Sequence, residues 1–110
     1  ITKWAKENSL LDKIEILTFV DNGISLNWMK KANAVVQNLL TKGSLNHLKY
    51  QLKKEPIDHF KSISKSISEA KKIGIETNVY LEDWSNGMRN SKNYVFEYLN
   101  FISNMKIDNK

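Results

Sequence analysis

Tyr80 and Glu82, a phenol and a carboxylate two positions apart at the end of an apolar run, are the side chains best placed for chemistry. In residues 75–82 (Ile-Glu-Thr-Asn-Val-Tyr-Leu-Glu), the β-branched and aromatic residues favour a half-buried strand. Side chains alternate across a strand, so Asn78, Tyr80 and Glu82 share one face if Thr77, Val79 and Leu81 face helices. An apolar run has no structural need of a phenol and an acid at its C-terminal end. Loops that follow parallel strands are where α/β folds put their chemistry, and a carboxylate there can take or relay a proton. The next residue, Asp83, adds a second carboxylate. Alternation sends Glu82 and Asp83 to opposite sides, and a Glu-Asp pair alone is common in surface turns. The site reading fails if Tyr80 and Glu82 turn out buried against helices or turned into bulk water.

Other candidate groups are sparser. His47 follows the second apolar run and is within reach of such a site, and Asn38 lies in that run. His59 reads as a helix-surface residue, and the two histidines lack the close spacing of a metal motif. The chain has no cysteine, which excludes disulfides, cysteine metal sites and cysteine nucleophiles. Gly43 and Gly87 form neither a Gly-x-Gly-x-x-Gly fingerprint nor a P-loop. There is no Gly-x-Ser-x-Gly elbow and no Ser/His pair at informative spacing.

The elements that must hold these residues follow from spacing. Residues 2–9 read as a short helix and 14–20 as a nearly continuous apolar strand. Asp21-Asn22-Gly23 marks a loop. Ser25 is a candidate cap for a helix burying Leu26, Met29 and Ala32, with Asn33 as a left-handed stop. A second strand covers 34–41. Gly43 supplies a permissive turn, Ser44 a cap, and Leu45, Leu48 and Leu52 a short helix. Pro56 opens a long helix with Ile57, Phe60, Ile63, Ile67, Ala70 and Ile73 as its apolar positions, and Gly74 ends it. After the third strand, 84–90 reads as a loop, Ser91 as a cap, and 92–105 as a helix burying Val95, Leu99 and Ile102.

The order α-β-α-β-α-α-β-α implies parallel pairing through right-handed crossovers. In the first strand one parity holds Glu15, Leu17 and Phe19. In the second it holds either Val36, Asn38 and Leu40 or Val35, Gln37 and Leu39. Three parallel strands leave two open edges, and a (β/α)₈ barrel takes about 250 residues, so three βα units make less than half of one.

Composition bounds the rest. With 110 residues and 41% hydrophobic content, the chain is one modest folded domain or part of a larger one. The net charge of +5 is spread over Lys30-Lys31, Lys53-Lys54 and Lys71-Lys72, as on solvated helix faces. A nucleic-acid footprint concentrates on one face, and the aromatics fall on core stripes, so no nucleic-acid partner is expected. No apolar run reaches the ~20 residues of a membrane span and no signal-peptide pattern is present, so no membrane partner and a cytoplasmic location are expected. The chain starts at Ile1 within a helix and stops in residues 105–110 as a helix end heading for another element, so it reads as a piece of a longer protein.

Val79-Tyr80-Leu81-Glu82-Asp83-Trp84-Ser85-Asn86-Gly87-Met88-Arg89-Asn90-Ser91, with Asn38-Leu39-Leu40-Thr41-Lys42-Gly43-Ser44-Leu45, resembles the citramalate synthase and 2-isopropylmalate synthase family. These are acyl-CoA-condensing members of the metal-dependent TIM-barrel lyase superfamily, and the likeness runs through nearly the whole chain. The resemblance implies that residues 1–110 are a partial TIM-barrel catalytic domain. They would supply about the third to fifth strands, with the N- and C-terminal barrel strands missing. It also implies a Claisen condensation, as in isoleucine and leucine biosynthesis: the acetyl-CoA methyl is deprotonated, the enolate attacks a 2-oxo acid, and the thioester is hydrolysed.

By the same resemblance, Leu17, Leu40 and Tyr80 line the pocket for the oxo acid's side chain. Glu82 is the acid beside the reacting groups, either as base or as the group that orients the enolate and a water. The tight apolar trio favours pyruvate, then 2-oxoisovalerate. The family's divalent metal (Mg, Mn or Zn) is held by an Asp in an Arg-Asp context and a His-x-His pair, and neither pattern occurs here. The Gly-rich thioester segment is also absent. The chain alone is therefore expected to bind no catalytic metal and to be inactive, and the full-length enzyme to be a homodimer acting on small molecules. The competing reading is a non-catalytic α/β module that binds a partner through open sheet edges.

Overall fold

The computed structural model describes residues 1–105, and the expected helix end over 106–110 lies outside them. The elements are α1 (Thr2–Glu7), a 3₁₀ turn (Leu11–Lys13), β1 (Glu15–Phe19), α2 (Ile24–Ala32) and β2 (Val36–Lys42). Next come α3 (Leu45–His47), which runs into a π-helical turn (Leu48–Leu52), then α4 (Pro56–Lys72), β3 (Glu76–Glu82), α5 (Trp84–Asn90) and α6 (Lys92–Asn104). The three strands form one parallel sheet in the order β1-β2-β3. The chain is thus α/β, with strands joined through helices.

The register decides which side chains share a face. Leu17, Asn38 and Asn78 lie side by side in one row, and Phe19, Leu40 and Tyr80 in the next. Lys42 and Glu82 form the row beyond, at the C-terminal ends of β2 and β3. This face carries no helix: Leu17 and Phe19 are each 53% exposed and Tyr80 48%. The opposite parity, including Thr18, Gln37, Leu39, Thr41 and Thr77, is buried. Leu39 packs there with Ile63 and Ile67 of α4 and Tyr94, Val95, Tyr98 and Ile102 of α6. A second cluster joins Leu26 and Met29 of α2 to Ala34, Ala70 and Ile75. Burying each large aliphatic side chain stabilises the fold by roughly 1.5–3 kcal/mol. Gln37, fully buried under the helices, accepts from the Thr18 hydroxyl at 2.9 Å and donates to Thr77 at 2.8 Å, so its amide is satisfied.

Several element ends match their chemistry. Asn33 (φ 55) and Gly74 (φ 76) are left-handed stops, Pro56 opens α4, and the Ser44 hydroxyl accepts the His47 N–H at 3.1 Å. Others differ from the sequence reading. Ser25 lies inside α2, and Asp21 does the capping, its carboxylate accepting the Ser25 N–H at 3.1 Å. Ser91 occupies the N-cap position of α6, but its hydroxyl donates to the Gly87 carbonyl and accepts the Leu45 N–H.

Residues 84–90, read as a loop, form α5 around the buried Gly87. His59 is fully buried rather than on a helix surface, and Ile57 is 60% exposed. Two residues turn a helix by about 200°, so pointing His59 inward forces Ile57 outward. On α6 the buried stripe is Tyr94, Val95, Tyr98 and Ile102, while Leu99 is 42% exposed. That rotation lets two phenols reach oxygen acceptors at the strand ends.

Candidate functional site

The C-terminal ends of β2 and β3 are fixed from behind by α6. Tyr94 donates to the Lys42 carbonyl at 2.6 Å. Thr41 donates to the Tyr80 carbonyl at 2.8 Å, which leaves its oxygen to accept from the Tyr98 hydroxyl at 2.6 Å. Burial pushes both phenols above their ordinary pKa, so they stay neutral donors. From beyond the strand ends, Gly43 N–H donates to the Glu82 carbonyl at 2.7 Å. The expected permissive turn at Gly43 is instead a close approach: an added Cβ would sit 2.9 Å from that same oxygen. At Gly87 an added Cβ would overlap the Gly43 carbonyl, so two glycines let α5 lie against the β2–α3 loop.

This frame brings seven polar side chains together. Lys42 is ion-paired with Glu82 and donates to Gln51 at 2.8 Å. The imidazole of His47 lies between two carboxylates, Nδ1 3.8 Å from Glu82 and Nε2 3.5 Å from Asp83. Alternation was expected to separate Glu82 from Asp83. Asp83, however, is left-handed (φ 64) at the start of α5, which turns its carboxylate back toward His47. Ser44 donates to Asp83 at 2.6 Å and Asn86 at 2.9 Å. These bonds hold the Asp83 carboxyl below the usual range, with neighbouring His47 adding to them.

Ser44, His47 and Asp83 do not make a nucleophilic triad. The serine proton is given to the aspartate, whereas activation requires that the histidine take it. Among the described residues no group of three or more His, Cys, Asp or Glu side chains could hold a metal ion.

The sequence-derived site residues fall as follows. Leu40, Tyr80 and Glu82 share the uncovered face near its C-terminal rim. Tyr80 and Glu82 are not buried against helices. The second condition is met in part: Tyr80, half-exposed on the bare face, is open to solvent among the described residues, whereas Glu82 is held back by its ion pair and is 34% exposed. Leu17 shares the face but sits one row lower, beside Asn38 rather than Leu40. Asn38 accepts from Asn78 at 2.9 Å, and Asn78 also lies 3.4 Å from Glu15.

No family model matches the chain.

Lys42 and Gln51 join the cluster without having been singled out by sequence, while Asp83 and Ser44, read there as a second carboxylate and a helix cap, meet in it through their own hydrogen bond. Lys42 was legible in principle, since it has the parity of Leu40 and the register of Glu82, but the second strand was read as ending at Thr41. Behind the cluster, His59 Nε2 accepts the Lys42 N–H at 3.1 Å, leaving Nδ1 without a hydrogen-bond partner among the described residues. Burial, with the Lys54 and Lys42 charges, lowers its pKa to about 4, so the ring is neutral and anchors the end of β2.

Proposed function

We propose that this chain is a segment of a (β/α)₈ enzyme that condenses acetyl-CoA with a small 2-oxo acid, pyruvate first and 2-oxoisovalerate second. The carrying observation is that Leu40, Tyr80 and Glu82 stand on one uncovered sheet face in adjacent rows at the C-terminal rim. Sequential strand order, with helices on one side only, also suits a barrel segment. In this reading Leu17, Leu40 and Tyr80 contact the side chain of the oxo acid, and methyl-sized differences there are worth roughly 1–3 kcal/mol. The Glu82 carboxylate, located by Lys42, borders the reacting groups as base or as the group that orients the enolate and a water. The divalent metal of this enzyme class finds no fitting donor set among the described residues, so no step is derived through it.

The test follows thiol release from acetyl-CoA with each 2-oxo acid, using the polypeptide that carries this segment together with the remaining barrel strands. Condensation is expected, with kcat reduced about 10²–10⁴-fold in Glu82→Gln. The 110-residue chain alone is expected to release no thiol. Absence of condensation with every 2-oxo acid, or a Glu82→Gln protein of full activity, contradicts the proposal. In that event the exposed Leu17, Phe19 and Tyr80 favour the competing reading, a binding module that docks a partner on its open sheet.

A further inference from the structure

The sequence contains two Asn-Gly dipeptides, Asn22-Gly23 and Asn86-Gly87, and the fold treats them in opposite ways. In such a pair the backbone nitrogen of glycine can attack the asparagine side-chain carbonyl. The new C–N bond closes a succinimide and the side-chain nitrogen leaves as ammonia. Water then opens the ring to aspartate or isoaspartate. The reaction needs a glycine N–H that can be deprotonated, an asparagine amide free to swing onto it, and a backbone able to follow.

Asn86-Gly87 is locked on all three counts. The Gly87 N–H donates to the Asp83 carbonyl at 3.0 Å within α5. The Asn86 amide donates to the Asp83 carboxylate at 2.9 Å and accepts from Asn90. Gly87 itself is buried against the Gly43 carbonyl, leaving no room for a ring.

Asn22-Gly23 sits in the turn between β1 and α2, with both residues left-handed (φ 58 and 89) and Asn22 exposed. Among the described residues neither the Gly23 N–H nor the Asn22 amide has a hydrogen-bond partner. We infer that Asn22 is a site of spontaneous deamidation in the folded protein and that Asn86, despite the same dipeptide, is protected.

The consequence is local. The Asp21 carboxylate accepts from both the N–H and the hydroxyl of Ser25, and the Ser25 oxygen accepts the Phe19 N–H at 3.3 Å. Isoaspartate at position 22 adds a methylene to the main chain between Asp21 and Ser25. A new carboxylate also appears beside Asp21. Both changes loosen the clamp that joins the end of β1 to the start of α2.

The experiment is prolonged incubation of the folded chain at mildly alkaline pH and body temperature. Peptide mapping then separates asparaginyl, aspartyl and isoaspartyl forms at both positions, and a denatured sample is run in parallel. Conversion at position 22 is expected to outrun that at 86 by at least about tenfold in the folded chain, because reaction at 86 waits for α5 to open. In the denatured sample the two rates are expected to converge. The amide hydrogen of Phe19 is expected to exchange faster in the isoaspartyl product, and Asn22→Gln to keep slow exchange under the same incubation. Equal rates at the two sites in the folded chain, faster conversion at 86, or no conversion at 22 while the denatured chain reacts would overturn the inference. None of these outcomes depends on the condensation reaction.

Discussion

His59 shows how one buried side chain ties pH to the geometry of the rim. Its ring is fully buried, accepts the Lys42 N–H and titrates near 4 rather than at its ordinary 6.5. The unfolded chain therefore binds a proton that the folded chain refuses between those values. The stability tied to this group is complete above about pH 6.5, falls as pH drops toward 4 and is level below that. The difference amounts to on the order of 3 kcal/mol. Replacing His59 with Gln keeps an acceptor for the Lys42 N–H and removes the titration. Denaturant melts of both proteins from pH 4 to 7 are expected to show a shallower pH dependence in His59→Gln, and parallel curves would contradict the assignment. The burial was not legible in the sequence because a polar residue between Ile57 and Phe60 looks like the outer face of an amphipathic helix. Only the free N–H at the end of β2 explains why it points inward.

At the scale of elements, the strand parity was legible, whereas α5 and the buried face of α6 were not. Alternation placed Asn78, Tyr80 and Glu82 together because a strand buried on one face leaves little freedom of register. α5 was missed because Ser85, Asn86 and Gly87 are weak helix formers, and what holds them is tertiary: the left-handed Asp83 and the Gly43–Gly87 approach. Gly87→Ala, which would improve helix propensity in isolation, is expected instead to destabilise the protein by about 1–3 kcal/mol through overlap with the Gly43 carbonyl. A rise in melting temperature would refute that packing. α6 was read with Leu99 inside because apolar residues were counted and phenols were not. Tyr98→Phe removes the donor to Thr41 while leaving the Thr41–Tyr80 bond, so a loss of about 0.5–1.5 kcal/mol is expected in equilibrium unfolding. No loss would mean that the phenol does not steady the rim.

For the whole molecule, three parallel strands with helices on one side leave a bare face, and its rows set Phe19 beside Leu40 and Tyr80. The α/β class could be read from the alternation of runs and stops. What lies against the bare face could not, since 105 described residues extending over 46 × 23 × 22 Å contain no second layer there. No helix among the described residues is long and apolar enough to cross a membrane. In the proposed function this face lines the chamber of a condensing enzyme and Leu40 senses the side chain of the oxo acid. The measurement that tests it most directly is the ratio of kcat/KM for pyruvate and 2-oxoisovalerate in the barrel-completed protein and its Leu40→Ala variant. The ratio is expected to move toward 2-oxoisovalerate by about 10–200-fold. An unchanged ratio, with both substrates rising or falling together, would contradict it.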